Sequence, residues 1–369
     1  MNKFNLTAAS VAVFFSISSY ASNTEFNLSG KVTAAMIADS DISGVGANNL
    51  SSVLYAKESD GEVSLDTTLT RLNFGTKTAL DNGESLDSFI AFDFNNLNNG
   101  EMNLRFREGY IKWNSGNSTL LAGQTWSTMM DMNAYPSMVL EPTITGVVFT
   151  RQPMLRFSQD FGAFKYDLAI EQGKDAIKQT GVPGEVKGTV NTPDLILGLE
   201  TNTELFWLRA TGVVNQIKAK RGEEERLNEL GYGFQVSGGL KITDKDFWNV
   251  SYFNSHGHDR YVLGSNGTSS QVTGSGLDVE KSQAIWTSIG HTWSENVKST
   301  IGYGAWKSDT PELSQMTELT ESQFALANVK YTVRENLTLG AEYNYTKATT
   351  AQKPTKDNHR LILAIDYQF

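Results

Sequence analysis

The sequence predicts an all-β fold, a transmembrane antiparallel β-barrel of about sixteen strands with long external loops and short periplasmic turns. Three observations predict it. The last eleven residues alternate between an apolar or aromatic face and a mostly polar or small one. Similar strands recur along the chain, and their connections alternate between long and short. After the N-terminal segment, no apolar run reaches the ~20 residues that a spanning helix needs.

Composition narrows the function classes. The formal charge is -10, which argues against nucleic acid as a partner. Cysteine is absent, so disulfides and thiolate metal sites are excluded. Aromatics make up 11% of the chain and only 7 prolines occur, a mixture that suits long strands.

The chain opens on a secretory signal pattern. Lys3 supplies the positive start, Leu6 to Ile17 the short apolar stretch, and Ser19 and Ala21 the small residues before a cut expected after Ala21. Residues 1–21 are thus a signal peptide and 22–369 a single barrel domain, bound for the outer membrane of a Gram-negative cell.

The first expected strand, Glu25 to Ala38, carries Phe26, Leu28, Val32, Ala34 and Met36 on one face. A long polar loop, Asp39 to Val63, follows, and the next strand ends near Thr78 before a turn at Asp81-Asn82-Gly83. Strands at Leu86 to Leu97 and Asn103 to Asn114 flank an unusually short external loop. Ser118 to Met130 forms the fifth strand and opens into the segment Asp131 to Thr150. Beyond it, strands near 151–160 and 164–173 meet at Gly162, and strands near 193–202 and 204–217 at Asn202-Thr203. The remaining turns are expected at Thr243 to Asp246, Ser294 to Asn296 and Arg334 to Asn336, with loops 218–229, 257–280, 308–319 and 348–358 on the other side.

An even strand number with one-sided long loops is the bacterial pattern, and a barrel of this size leaves a water-filled interior. No fixed-period repeat of a propeller or solenoid is present. Phe164, Tyr166, Leu168 and Ile170 alternate with Lys165, Asp167, Ala169 and Glu171. The charged set must face the lumen, because Lys or Arg at the bilayer midplane costs ~2–4 kcal/mol. Trp113, Trp126, Trp207, Trp248, Trp293 and Trp306 fall near strand ends and are expected in interfacial girdles.

The third external loop is unusually apolar, with Met138, Val139, Leu140, Ile144, Val147, Val148 and Phe149. Folding inward would bury them and narrow the pore; the alternative is a subunit-contact loop. Arginines cluster on the surrounding strands. Arg105 and Arg107 share a face, Arg71 alternates with Leu72 and Phe74, and Arg156 lies between Leu155 and Phe157, so all four should face the lumen. Arg151 stands at the mouth. These five are expected to form a basic ladder opposite Asp131 and Glu141, suited to carboxylates or phosphates. Glu108 shares the parity of Leu104 and Phe106, which would turn it to lipid unless Gly109 marks a bulge. Inward arginines also pair with acids simply to balance charge, which would leave a general diffusion pore.

The segment Gly123-Gln124-Thr125-Trp126-Ser127-Thr128-Met129-Met130-Asp131, with Arg151-Gln152-Pro153 and Arg156, resembles the signature of the DcaP-like outer-membrane porins. The resemblance is specific over about 103–158 and elsewhere rests on barrel layout and the terminal Phe. It implies a homotrimer of channels that prefer small anionic organic acids, especially dicarboxylates, with Arg105, Arg107, Arg151 and Arg156 as the basic residues of each pore. The first strand follows the cleavage site closely, unlike family members with an N-terminal periplasmic coiled coil.

The terminal strand carries a second signal. Tyr367 and Phe369 resemble the mark by which outer-membrane barrels are recognised for assembly, so the barrel assembly machinery is an expected partner. Outer-membrane lipid and lipopolysaccharide are expected against the outer wall. No cofactor or metal is expected. His256, His258 and Asp259 sit together in a sequence read as a solvated loop, at a spacing unsuited to a metal. Some outer-membrane barrels are hydrolases, but no nucleophile elbow or zinc-protease motif occurs, so a non-enzymatic channel for passive solute and ion transport is the expected function.

Overall fold

The computed structural model describes residues 23–40, 61–98, 101–140, 144–173, 176–179, 186–187, 192–221, 225–314, 318–351 and 355–369. The expected signal peptide, most of the first external loop and Glu141 lie outside them. Sixteen antiparallel strands close into a barrel. They are β1 (Thr24–Asp39), β2 (Glu62–Asp66 and Arg71–Ala79), β3 (Ser85–Asn98), β4 (Glu101–Ser115), β5 (Ser118–Trp126), β6 (Arg151–Asp160), β7 (Phe164–Glu171) and β8 (Asp194–Asn202). The second half comprises β9 (Phe206–Arg221), β10 (Glu225–Lys241), β11 (Asp246–His256), β12 (Lys281–Thr292), β13 (Val297–Ser308), β14 (Leu319–Arg334), β15 (Leu337–Thr350) and β16 (Thr355–Gln368).

The seam shows how the chain ends were written for closure. β1 and β16 pair from Lys31 opposite Gln368 to Asp39 opposite Arg360. Past that register, the Gly30 and Phe369 backbones exchange two hydrogen bonds of 3.0 and 3.1 Å. A Cβ at Gly30 would stand 2.3 Å from the Arg71 carbonyl oxygen and 2.9 Å from the Phe369 ring, so the close approach of β2 requires the glycine and the terminal aromatic shares the space. Leu361, Leu363, Ile365, Tyr367 and Phe369 all point outward, as expected for a lipid-facing strand. On the inner face Arg360 forks onto Asp39 at 2.7 and 2.9 Å, tying the first strand to the last.

β2 is broken because Asp66 accepts hydrogen bonds from the backbone N–H and the hydroxyl of Thr68, both at 2.8 Å. The break turns Leu69 inward, where it is fully buried with Ala35, Ile37, Leu140 and Ile362.

Glu108 also finds its place through an irregularity. Ala91 pairs with Glu108, while the next residue, Phe92, pairs with Phe106. The extra residue is therefore Arg107, not Gly109 as the sequence suggested, and it turns Glu108 inward, where Thr125 Oγ1 donates to it at 2.6 Å. Gly109 serves the outer face, where the Phe106 ring would collide with any side chain.

The girdle expectation needs a similar correction. Trp113, Trp248 and Trp293 are exposed near the short turns, each with its indole N–H bonded to a neighbouring strand or turn. Trp126, Trp207 and Trp306 are turned inside the barrel, because parity rather than position near a strand end decides the face.

Candidate pore constriction

β5 stops at Trp126, four residues earlier than the alternation suggests. The buried carboxylate of Glu171 on β7 ends it by accepting the Thr128 backbone N–H at 2.7 Å, the Ser127 hydroxyl at 2.7 Å and the Gln152 amide at 2.5 Å. Donors that would continue a strand are captured by this acid, and the chain turns into the lumen.

The loop that follows crosses to the far wall. Asn328 and Lys330 donate to the Ser137 carbonyl and hydroxyl, and the Val139 N–H donates to Glu342 at 2.8 Å. Leu140 enters the cluster around Ala35, Ile37 and Leu69. Ile144 and Val147 pack on the inward Trp286, Phe324 and Leu326. At Gly146, with φ +85°, a Cβ would come within 2.2 Å of the Ile285 carbonyl oxygen, so this close approach requires glycine. Met138, Val139, Leu140, Ile144, Val147, Val148 and Phe149 are thus buried or half-buried inside their own barrel, as the first of the two sequence readings has it.

A second loop folds in beside it. Val148 bridges to Val262, Phe149 N–H donates to the Tyr261 carbonyl at 2.7 Å, and the Tyr261 hydroxyl donates to Asp194 at 2.5 Å. His258 and Asp259 are buried, with Ser282 bonded to Asp259, which corrects the solvated-loop reading. His256 ends β11 and stacks on Tyr232 at 4.6 Å. Among the described residues no group of three histidines, cysteines or carboxylates could hold a metal ion.

The arginines beneath and beside the loop divide into two groups. Arg71, Asp93 and Arg105 follow one another across β2, β3 and β4 on the inner face. Arg105 grips Asp93 with two bonds of 2.7 and 2.6 Å, and Arg107 reaches the same carboxylate at 2.5 Å. Arg151 lies with its guanidinium 4.2 Å from the centre of the Trp126 ring and 6.0 Å from that of Phe149. It is within electrostatic reach of Arg71, Arg105, Arg107 and Glu108. Among the described residues its buried Nη1 has no hydrogen-bond partner. Arg156 belongs elsewhere, near Asp167, Glu171 and Arg209. Arg209 is bonded to Asp167 at 2.8 Å, Glu200 at 3.0 Å and the Thr128 carbonyl at 3.0 Å.

The expected opposition of Asp131 to a five-arginine ladder is not what the fold builds. Asp131 is buried and accepts the Ser237 hydroxyl on β10 at 2.5 Å and the Asn133 N–H at 2.9 Å. Burial raises its carboxyl above the ordinary range. Glu141 lies outside the described residues. Among the described residues, the acids within electrostatic reach of Arg71, Arg107 and Arg151 include Asp93 and Glu108. Arg209 was missed by the sequence reading, although it stands between the outward Leu208 and Ala210 and the same parity argument finds it. Tyr135, with a buried hydroxyl near Arg107 and Arg71, has no sequence signal because loops carry no periodicity.

With this geometry in view, similarity to known proteins becomes informative. No curated protein matches the sequence. The outer membrane channel DcaP of Acinetobacter baumannii superposes with a TM-score of 0.81 at 22% identity, over 94% of this chain and 98% of that one. The anion-selective porin from Comamonas acidovorans follows the same fold at a TM-score of 0.65 and 10% identity, over 94% of this chain and 100% of that one. A trimer form of OmpT, an outer membrane protein of Vibrio cholerae, gives 0.62 at 11% identity, over 94% and 99%. The sequence itself matches the DcaP outer membrane protein family from residue 20 to residue 369, so this outer-membrane β-barrel, with a loop folded through its lumen, belongs to that family.

Proposed function

We propose that the protein is a passive outer-membrane channel for small hydrophilic solutes that favours anionic organic acids such as dicarboxylates. One observation carries the reading: Arg71, Arg105, Arg107 and Arg151 gather inside the barrel beside the inward loop, within electrostatic reach of one another. A permeating anion meets these guanidiniums where low-dielectric walls focus the field. The -10 of the whole chain counts for less, because charges in outer loops act through electrolyte with a Debye length of ~8 Å. The printed description of the Comamonas acidovorans porin as anion-selective is in keeping with this preference.

The same reading includes export after removal of residues 1–21, assembly through the terminal Tyr367 and Phe369, contact with lipopolysaccharide, and a homotrimer. The trimer form of the Vibrio cholerae relative supports the last. Chemistry on the solute is not part of the proposal. The partial neutralisation of the arginines by Asp93 favours one second reading, a general diffusion porin with weak selectivity. Planar-bilayer recording separates the two. An anion-directed reversal potential in a salt gradient, with current block by added dicarboxylate, is expected; a cation-selective channel blind to carboxylates would leave only the general porin.

A further inference from the structure

On the side of the inward loop toward the short turns, the barrel wall and the loop line an open cavity of about 340 Å³. Its roof is loop surface, Met138, Val139 and Leu140, and its wall carries Lys31, Lys298 and Lys330. None of these lysines belongs to the arginine group described above.

The charges in this cavity are arranged at a cost. Lys298 and Lys330 stand directly opposite each other across β13 and β14, and like charges at that position repel. Lys31 faces Arg71 in the same way across β1 and β2. Lys330 donates to the Ser137 hydroxyl at 2.5 Å. Among the described residues no carboxylate forms an ion pair with Lys298 or Lys330.

The two acids nearby are already engaged. Glu342 accepts from the Val139 N–H, Asn328 and Asn344 at 2.8, 3.0 and 3.1 Å. Asp366 accepts the Thr33 hydroxyl at 2.6 Å and lies 3.7 Å from the Lys31 ammonium. Among the described residues, three lysines stand against two bonded carboxylates, which leaves the cavity positive. A hydrocarbon roof over an ammonium pair matches a ligand with a charged end and an apolar body. Inorganic anions would use only the wall. Tyr135 lines the same cavity, and its buried hydroxyl, without a partner among the described residues, lies near Arg71 and Arg107.

We propose that this cavity is a second anion station, which holds an organic carboxylate by its charged group on Lys298 and Lys330 and by its hydrocarbon under Met138 to Leu140. It rests on the anion-preferring reading and extends it to two stations in series. Solute then passes between the arginine group and the lysine cavity, as multi-site conduction requires.

The test uses the full-length channel in a planar bilayer with suberate and sulfate as probes. Both carry two charges, and only suberate carries a hydrocarbon body. Suberate added from the periplasmic side should block with measurable dwell times. K298Q/K330Q should shorten them about tenfold or more, the effect of losing one or two charge-assisted hydrogen bonds. K298R/K330R should retain them, and M138Q should shorten suberate block while sparing sulfate. Heat-modifiable migration in detergent verifies folding for each variant, and M138Q keeps the test alive if the lysine variant fails to assemble. Unchanged suberate dwell in K298Q/K330Q or M138Q would overturn the station while leaving an anion-selective wild type intact. Equal loss for both probes in M138Q would overturn the organic-carboxylate assignment. A cation-selective wild type would remove the parent reading and this one with it.

Discussion

Replacing Arg105 and Arg107 together with glutamine tests the constriction at its most exposed premise. Both guanidiniums converge on Asp93. The double variant removes two positive charges from this group. For an ion passing roughly 6 Å from a guanidinium, the interaction is about 0.7 kcal/mol at the dielectric of water and nearly 3 kcal/mol at an effective dielectric of 20. Screening at physiological salt halves these values, roughly. Two charges removed, with opposite effects on anion and cation, change the anion-to-cation preference by at least about 1.3 kcal/mol, or tenfold. In a tenfold salt gradient, a channel that starts tenfold anion-preferring should move by about 40 mV toward zero, against a limit of ~59 mV for perfect selectivity. The double variant also leaves Asp93 buried beside Arg71 alone, and stripping a buried carboxylate of its partners can cost ~3–5 kcal/mol. The triple variant R105Q/R107Q/D93N removes that cost and lowers the local charge by one instead of two. Its reversal potential should therefore fall between wild type and the double variant. A double variant within a few millivolts of wild type, with both proteins folded, would refute the assignment of selectivity to these arginines.

Three further outcomes follow from the packing. Gly146→Val cannot keep the approach to the Ile285 carbonyl, so the loop should leave the wall and single-channel conductance should rise; unchanged conductance with weakened oligomers would instead make the loop a subunit contact. Burial lifts the Asp259 carboxyl to about 7 and lowers the His258 imidazole to about 4, with Arg260 adding to the latter. Asp259 then loses stability as pH rises toward 7, His258 gains it from pH 4 to 6.5, and the two oppose each other in the wild type. In D259N the second loop's hydrogen-exchange protection should rise with pH over that window by up to about 3 kcal/mol, and H258Q should show the reverse slope; slopes of one sign in both would exclude this account. Deleting Phe369 removes the ring over Gly30 and two seam hydrogen bonds, so folded, heat-modifiable barrel should fall while synthesis is unchanged, as immunoblots of membranes would show.

What the sequence determined by itself is the barrel. Strand parity is a local property with period two, and in a membrane the cost of a charge on the lipid face makes it unambiguous. That is why the outward face of β16, the inward Arg71, Arg105 and Arg156, and the even alternation of turns and loops were legible before any coordinates. The apolar character of the third loop was legible too, because seven large apolar residues cannot remain in water. Parity failed wherever one residue was added or a strand was cut short. Arg107 shifts the register and brings Glu108 inside, and Glu171 halts β5 by capturing donors from a segment forty-four residues away in sequence. Only the tertiary structure decided which wall the loop meets, and so which charges share the pore. Asp131 was drawn to Ser237 and Arg156 to the acids around Arg209. These pairings depend on closure of the barrel and on a loop crossing its lumen, and distances between segments so far apart in the chain have no periodic trace in a sequence.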